Sequence, residues 1–230
     1  EEKQKSQKIL QRQTSIPDSG IGDWDDLSEL FSLLHEGITN SNVEDIIQVC
    51  QQVAEVCRLS NGSLRNDKRL FYSICKEYVP ALLKAVRTFP SHKMLALVCF
   101  KILESFPYQK ITPDIANLGH FFMEVLQTHV EDVETSIRLL EYIISFMTES
   151  SNIRGQLVSQ NCVLVIYNVF KRYGNVHAEV LELCVAYISQ LCQEDKSNIQ
   201  TLLCKVGISK LVITQLIDTM NDEKFVHQLA

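Results

Sequence analysis

Ser197-Asn198-Ile199-Gln200-Thr201-Leu202-Leu203-Cys204-Lys205-Val206-Gly207-Ile208-Ser209-Lys210-Leu211-Val212 is the stretch whose reading decides the fold. A polar start at Ser197-Asn198 suits a helix N-terminus, and Ile199, Leu202, Leu203 and Val206 recur at three- and four-residue intervals. Gly207 suits a left-handed helix end, and a second apolar run begins at Ile208. Upstream the same order appears as Asn152 to Val158, then Asn161, then Val163 to Phe170, and again as Ile115 to Leu118, then Gly119, then Phe121. A period of roughly forty residues built on one such unit predicts stacked helical repeats, each burying its apolar face on the next. Asn is the other residue that readily turns left-handed, so Asn161 is expected to end a helix as Gly119 and Gly207 do.

Working outward, each stop is followed by a helix of about ten residues and then by a longer one. The pairs are Phe121 to His129 with Val133 to Met147, and Val163 to Tyr173 with Ala178 to Cys192; Ile208 to Thr219 opens a third. An earlier copy runs from Tyr78 to Thr88 and from Lys93 to Phe106, with Pro90 at the joint. Before it, Trp24, Leu27, Phe31, Leu34 and Ile38 form one apolar helical face behind Asp23 as N-cap, with Gly37 near the stop. A second helix is expected from Val43 to Leu59. Three parts result: a flexible polar arm over 1–22, a pair of capping helices over 23–66 that buries Trp24, Leu27 and Phe31, and repeats over 67–230 that are expected to continue into further chain.

Composition narrows the function classes. The chain has 230 residues, 46% hydrophobic, with 8 Gly and 5 Pro: enough to bury a core, and too little turn chemistry for an all-β fold. A formal charge of -6 argues against nucleic acid and anionic membrane as general partners. Eight cysteines sit mostly in apolar helical runs without C-x-x-C spacing, which reads as reduced thiols of the cytoplasm or nucleus. No apolar run is long enough to span a bilayer. No phosphate loop, nucleophile elbow or metal-binding helix motif is present, and His35, His92, His120, His129, His177 and His227 follow no metal spacing. The reading is therefore non-catalytic, with no cofactor and no metal.

The Ser197 to Val212 stretch resembles the polar-cap, first-helix, Gly, second-helix signature of the armadillo repeat family, and the resemblance extends over about 67–230. It implies an all-α fold, a right-handed superhelical solenoid of about four armadillo-like repeats behind an N-terminal helical pair. HEAT-type repeats share the period. The resemblance also implies that third helices line a concave face on which protein partners, as a helix or a peptide, are held. Its positions here are Phe100, Lys101, Glu104, Glu141, Ser145, Ala186 and Gln190. The family's Trp/Asn ladder is absent from them, which argues against holding an extended basic peptide. Glu104, Glu141 and Gln190 also read as solvated positions on amphipathic helices.

Charge is uneven along the chain. Arg65, Lys68, Arg69, Lys76, Lys84 and Arg87 make a basic patch, whereas Asp18, Asp23, Asp25, Asp26, Glu29, Glu36, Glu44 and Asp45 precede it without a Lys or Arg among them. Opposite signs in adjacent segments steer the acidic helix towards the basic one or select separate partners. In the arm, Arg12-Gln13-Thr14-Ser15-Ile16-Pro17 resembles a basophilic kinase site at Ser15 and, once phosphorylated, a 14-3-3 docking motif. Ile208, Leu211, Val212, Leu216 and Ile217 form an apolar face near the C-terminus, where self-association or partner docking is expected. The function expected is a protein-protein interaction scaffold. The alternative is a regulatory armadillo module of a larger signalling enzyme, a kinase or a ubiquitin ligase.

Overall fold

The computed structural model describes residues 24–59, 68–104, 118–158, 160–174, 176–193, 196–208 and 210. Among them are ten helices and no strand. In chain order they are α1 (Trp24–Thr39), α2 (Val43–Leu59), α3 (Lys68–Thr88), α4 (Lys93–Glu104), α5 (Leu118–Thr128), α6 (Val133–Glu149), α7 (Ser151–Leu157), α8 (Gln160–Tyr173), α9 (Ala178–Leu191) and α10 (Lys196–Val206). The all-α expectation holds, and α2 and the α3/α4 joint fall where the apolar periodicity and Pro90 place them. No helix among the described residues is long and apolar enough to cross a membrane.

Four pairs, α1/α2, α3/α4, α5/α6 and α8/α9, are closed by short turns, and the first three of these turns reuse one piece of chemistry. Thr39, Thr88 and Thr128 end the first helix of three pairs, and each hydroxyl donates to the carbonyl four residues back, at 2.8, 2.8 and 2.9 Å. A polar residue then caps the second helix. Asn42 Oδ1 accepts from Asp45 N at 3.4 Å, His92 Nδ1 from Leu95 N at 3.4 Å, and Asp132 Oδ1 from Thr135 N at 3.0 Å. These caps take up amide donors that the first helical turn leaves unpaired.

Packing orders the pairs. The second helices contact one another in sequence, α2 on α4, α4 on α6, and α6 on α9, while α1 lies on α3, α5 on α8, and α8 on α10. The short α7 fits against α5, α6 and α9. The core runs through all of these contacts. Phe31 of α1 faces Tyr78 of α3 with ring centroids 4.8 Å apart, and Phe100, Phe121, Phe122 and Phe146 form an aromatic cluster where α4, α5 and α6 meet. The helix α1 lies against α3 as well as α2, and Phe31 is buried, with its ring on Tyr78. The side chains of Trp24 and Leu27 lie outside the described residues.

Two expectations about helix stops are corrected. Asn161 is the second residue of α8, and the left-handed residues among those described are Ser41 (φ 54) and Gly207 (φ 85). Gly207 thus ends α10 as expected, while Gly119 lies in the first turn of α5. Gly119 is needed for proximity instead: an added Cβ would stand 2.8 Å from Gln156 Cβ of α7. Its amide also donates to Gln156 Oε1 at 2.8 Å. Gly37 is likewise inside α1, where a Cβ would stand 2.9 Å from Ile46 Cγ1 of α2. Gly and Asn look alike as punctuation in sequence, yet only one of these glycines is used for its backbone freedom.

Candidate functional site

Lys101 and Glu104 are exposed on α4, Glu141 and Ser145 are half-buried on α6, and Ala186 and Gln190 are half-buried on α9. Because α4, α6 and α9 pack in sequence, these positions belong to one row of helices. Phe100 does not join them. It is 0% exposed, turned into the aromatic cluster, so its expected place on an accessible surface is corrected.

Electrostatics links the row laterally. Arg138 Nη1 donates to Glu141 Oε2 at 3.0 Å, and Arg138 is held protonated by that pair and, more weakly, by Glu179 of α9. Tyr142, half-buried between them, has its phenol pushed up by partial burial and then by the Glu104 carboxylate of α4. The row also leaves apolar surface open, with Met94 on α4 and Val185 on α9 each 47% exposed. Met94, Arg138, Tyr142 and Val185 were not singled out from sequence. The available signal was that α4 and α9 are apolar on nearly every side, so apolar residues remain after packing is complete.

The basic patch is divided. Lys76, Lys84 and Arg87 are exposed on α3, Lys68 and Arg69 begin that helix with side chains outside the described residues, and Arg65 lies outside them altogether. Arg87 is held at 3.6 Å from Glu124 of α5 and lies 5.6 Å over the Phe121 ring. Of the expected C-terminal apolar face, Ile208 is buried, while Leu211, Val212, Leu216 and Ile217, like Ser15, lie outside the described residues.

The turns form a separate polar edge that fixes one pair against the next. Lys93 Nζ meets Asp132 Oδ2 at 3.0 Å, Arg172 pairs with Glu131, and Tyr173 Oη donates to the Val130 carbonyl at 2.8 Å. Asp132 is held below its ordinary value first by the Thr135 amide and then by Lys93. Asp132→Ala is expected to cost about 1 kcal/mol through the lost cap, with a smaller effect from the exposed pair. Urea midpoints of the two proteins check it. Since the folded carboxyl titrates low, this contribution is full above the ordinary value of 3.8 and is lost as pH falls through the folded one.

His129 lies at the same edge, 6% exposed, with Nε2 buried and lacking a hydrogen-bond partner. Burial pushes its imidazole below 6.5, against the opposing influence of Asp132 and the Pro90 carbonyl; His92 and Lys93 push the same way as burial. The folded state therefore binds fewer protons than the unfolded chain between the lowered value and 6.5. Stability is expected to be full above 6.5 and to fall as pH drops through that window. His129→Gln should flatten the fall in urea midpoint between pH 7.5 and 5.5, and an equal slope in both proteins would assign it elsewhere.

Chemistry at three buried thiols is suppressed. Burial pushes Cys50 and Cys184 up to about 12 and holds Cys99 well above its ordinary value, so these sulfurs remain protonated and poorly nucleophilic. Among the described residues, no group of three or more His, Cys, Asp or Glu side chains is placed to hold a metal ion. No family model, curated protein or solved structure gives a significant match to the chain.

Proposed function

We propose that this chain is a non-catalytic protein-binding scaffold, a right-handed solenoid of about four armadillo-like repeats whose partners dock on the α4–α6–α9 row. The observation that carries the reading is the sequential packing of α2, α4, α6 and α9, which extends one surface across successive helical pairs. That surface combines exposed apolar residues, Met94 and Val185, with the charges of Lys101, Glu104, Arg138 and Glu141, a mixture suited to a helix or peptide partner. The raised thiols of Cys50, Cys99 and Cys184 favour packing over catalysis. The unpaired state of those cysteines and the net charge of -6 suit a cytoplasmic or nuclear protein that avoids nucleic acid.

Photo-crosslinking tests the surface. A benzophenone side chain at Ser145 or Glu104 should capture a discrete protein partner, and one at Gln127, exposed on α5, should not. Val185→Glu should lose that partner while retaining the helical circular dichroism of the parent. Equal capture from α5 and α6, or capture insensitive to Val185→Glu, would remove the α4–α6–α9 row as the docking surface.

A further inference from the structure

We infer that His129 is a proton-operated latch: neutral, it holds the α5/α6 turn against the α3/α4 turn, and protonated, it releases that edge while the aromatic cluster stays closed. The geometry is that of a buried base at a joint. His129 directly follows α5 and is nine-tenths buried, and its Nε2 has no hydrogen-bond partner. Its backbone is fixed from both sides. The amide donates to the Val125 carbonyl at 3.1 Å, and the carbonyl accepts from Asp132 N at 3.0 Å and from Ser136 Oγ at 3.2 Å. Unwinding this turn to free the ring would break those bonds, so relief comes at the face shared with the neighbouring turn.

The groups around the ring decide what a proton does there. The α3/α4 turn presents His92, Lys93 and the Pro90 carbonyl, the head of α6 presents Asp132, and on the α8 side Arg172 is paired with Glu131. His92 and Lys93 oppose a new positive charge, and the favourable influence of Asp132 and Pro90 is outweighed by burial. Asp132 is already committed, with Oδ1 accepting from Thr135 N and Oδ2 from Lys93 Nζ, each at 3.0 Å. A proton on Nε2 thus creates a buried donor without an acceptor, and that cost is relieved when the turns part and water reaches the ring. The Lys93–Asp132 pair is not the sensor, because its carboxyl titrates below 3.8 and stays charged at pH 5.5. It remains as a tether. The aromatic cluster confines the opening to one end: Phe122 lies about 10 Å along the helix axis from His129, and Phe146 about 21 Å from Asp132. Among the described residues, α4 packs closely on α6, whereas α3 and α5 lack the close packing that joins α1 to α3 and α5 to α8. One proton taken up on opening raises the open fraction by up to about tenfold per pH unit below 6.5. Opening would also shift Glu104 relative to Glu141; that consequence rests on the proposed docking row, and the latch itself does not.

Spin labels attached through ketone side chains test the latch in the full chain without any partner. Labels at Ser91 and Gln127, both exposed, span the joint, and a second pair at Gln127 and Lys171 spans α5 and α8. Between pH 7.5 and 5.5 the Ser91/Gln127 distances should gain a longer population, growing by up to about tenfold per pH unit, while Gln127/Lys171 stays fixed. His129→Gln should keep the short distances at both pH values, and His92→Gln should respond as the parent does. In the parent itself, the His129 imidazole followed by NMR should titrate with the midpoint of the distance change, a readout that needs no variant to fold. A ring that titrates with no longer distance has turned out to water alone, and that result would overturn the latch. So would a change that persists in His129→Gln, disagreement of the two midpoints, or an equal change in both label pairs, which is general unfolding.

Discussion

Replacing Phe100 with alanine is expected to lower the stability of the chain by about 3–5 kcal/mol, the cost of a large cavity in a close-packed core. The ring is fully buried and lies 4.9 Å from Phe122, 6.1 Å from both Phe121 and Phe146, and 6.2 Å from Tyr142, measured between centroids. Four aromatic neighbours on α5 and α6 thus lose a partner at once, and a rigid ring on each side limits how far the site can collapse. Lys101→Ala, one residue further on the exposed side of α4, should change the stability read from urea unfolding by no more than about 0.5 kcal/mol. The contrast is decisive for the role of Phe100. Were Phe100 a partner-contact residue, alanine there would leave the midpoint unchanged and reduce only partner capture.

The side of α4 that faces inward was the part of the fold least legible in sequence. From Met94 to Phe100 every residue is apolar, so three- and four-residue spacing selects no single face. The packing resolves it: α2, α3 and α6 all lie against α4 and leave only a narrow strip open. Lys101 and Glu104 were readable because charged side chains are costly to bury and mark that strip directly. On α6 the alternation is cleaner, and Glu141 and Ser145 could be placed from sequence. The cooperation of Arg138 with Glu141, and of Tyr142 with Glu104, depends on how α4 and α6 are set side by side, which no local pattern encodes. The turns were similarly half-legible: Pro90 marked one joint, but the repeated Thr before each polar cap becomes visible as a signature only when the helix ends are known.

Gly119→Val is expected to destabilise the chain by about 1–3 kcal/mol by forcing α5 away from α7. The first added carbon alone would stand 2.8 Å from Gln156 Cβ and 3.3 Å from Leu157 Cγ, so the obstruction is close to the α7 backbone and is not relieved by a rotamer change. Displacing Gln156 would also threaten its 2.8 Å bond from the Gly119 amide, leaving a first-turn donor unpaired. Gly155 provides the opposite control. It lies within α7 with nothing within 4 Å of an added Cβ, and Gly155→Ala should stabilise by up to about 1 kcal/mol through reduced backbone freedom in the unfolded chain. Asparagine separates close approach from left-handed backbone at Gly119. A left-handed helix end accepts Asn at little cost, whereas a site that excludes even a Cβ does not, so Gly119→Asn should be destabilised on the scale of Gly119→Val. By the same logic Asn161→Val, exposed in the first turn of α8, should move the urea midpoint only slightly; a large loss there would restore Asn161 as a helix-ending residue.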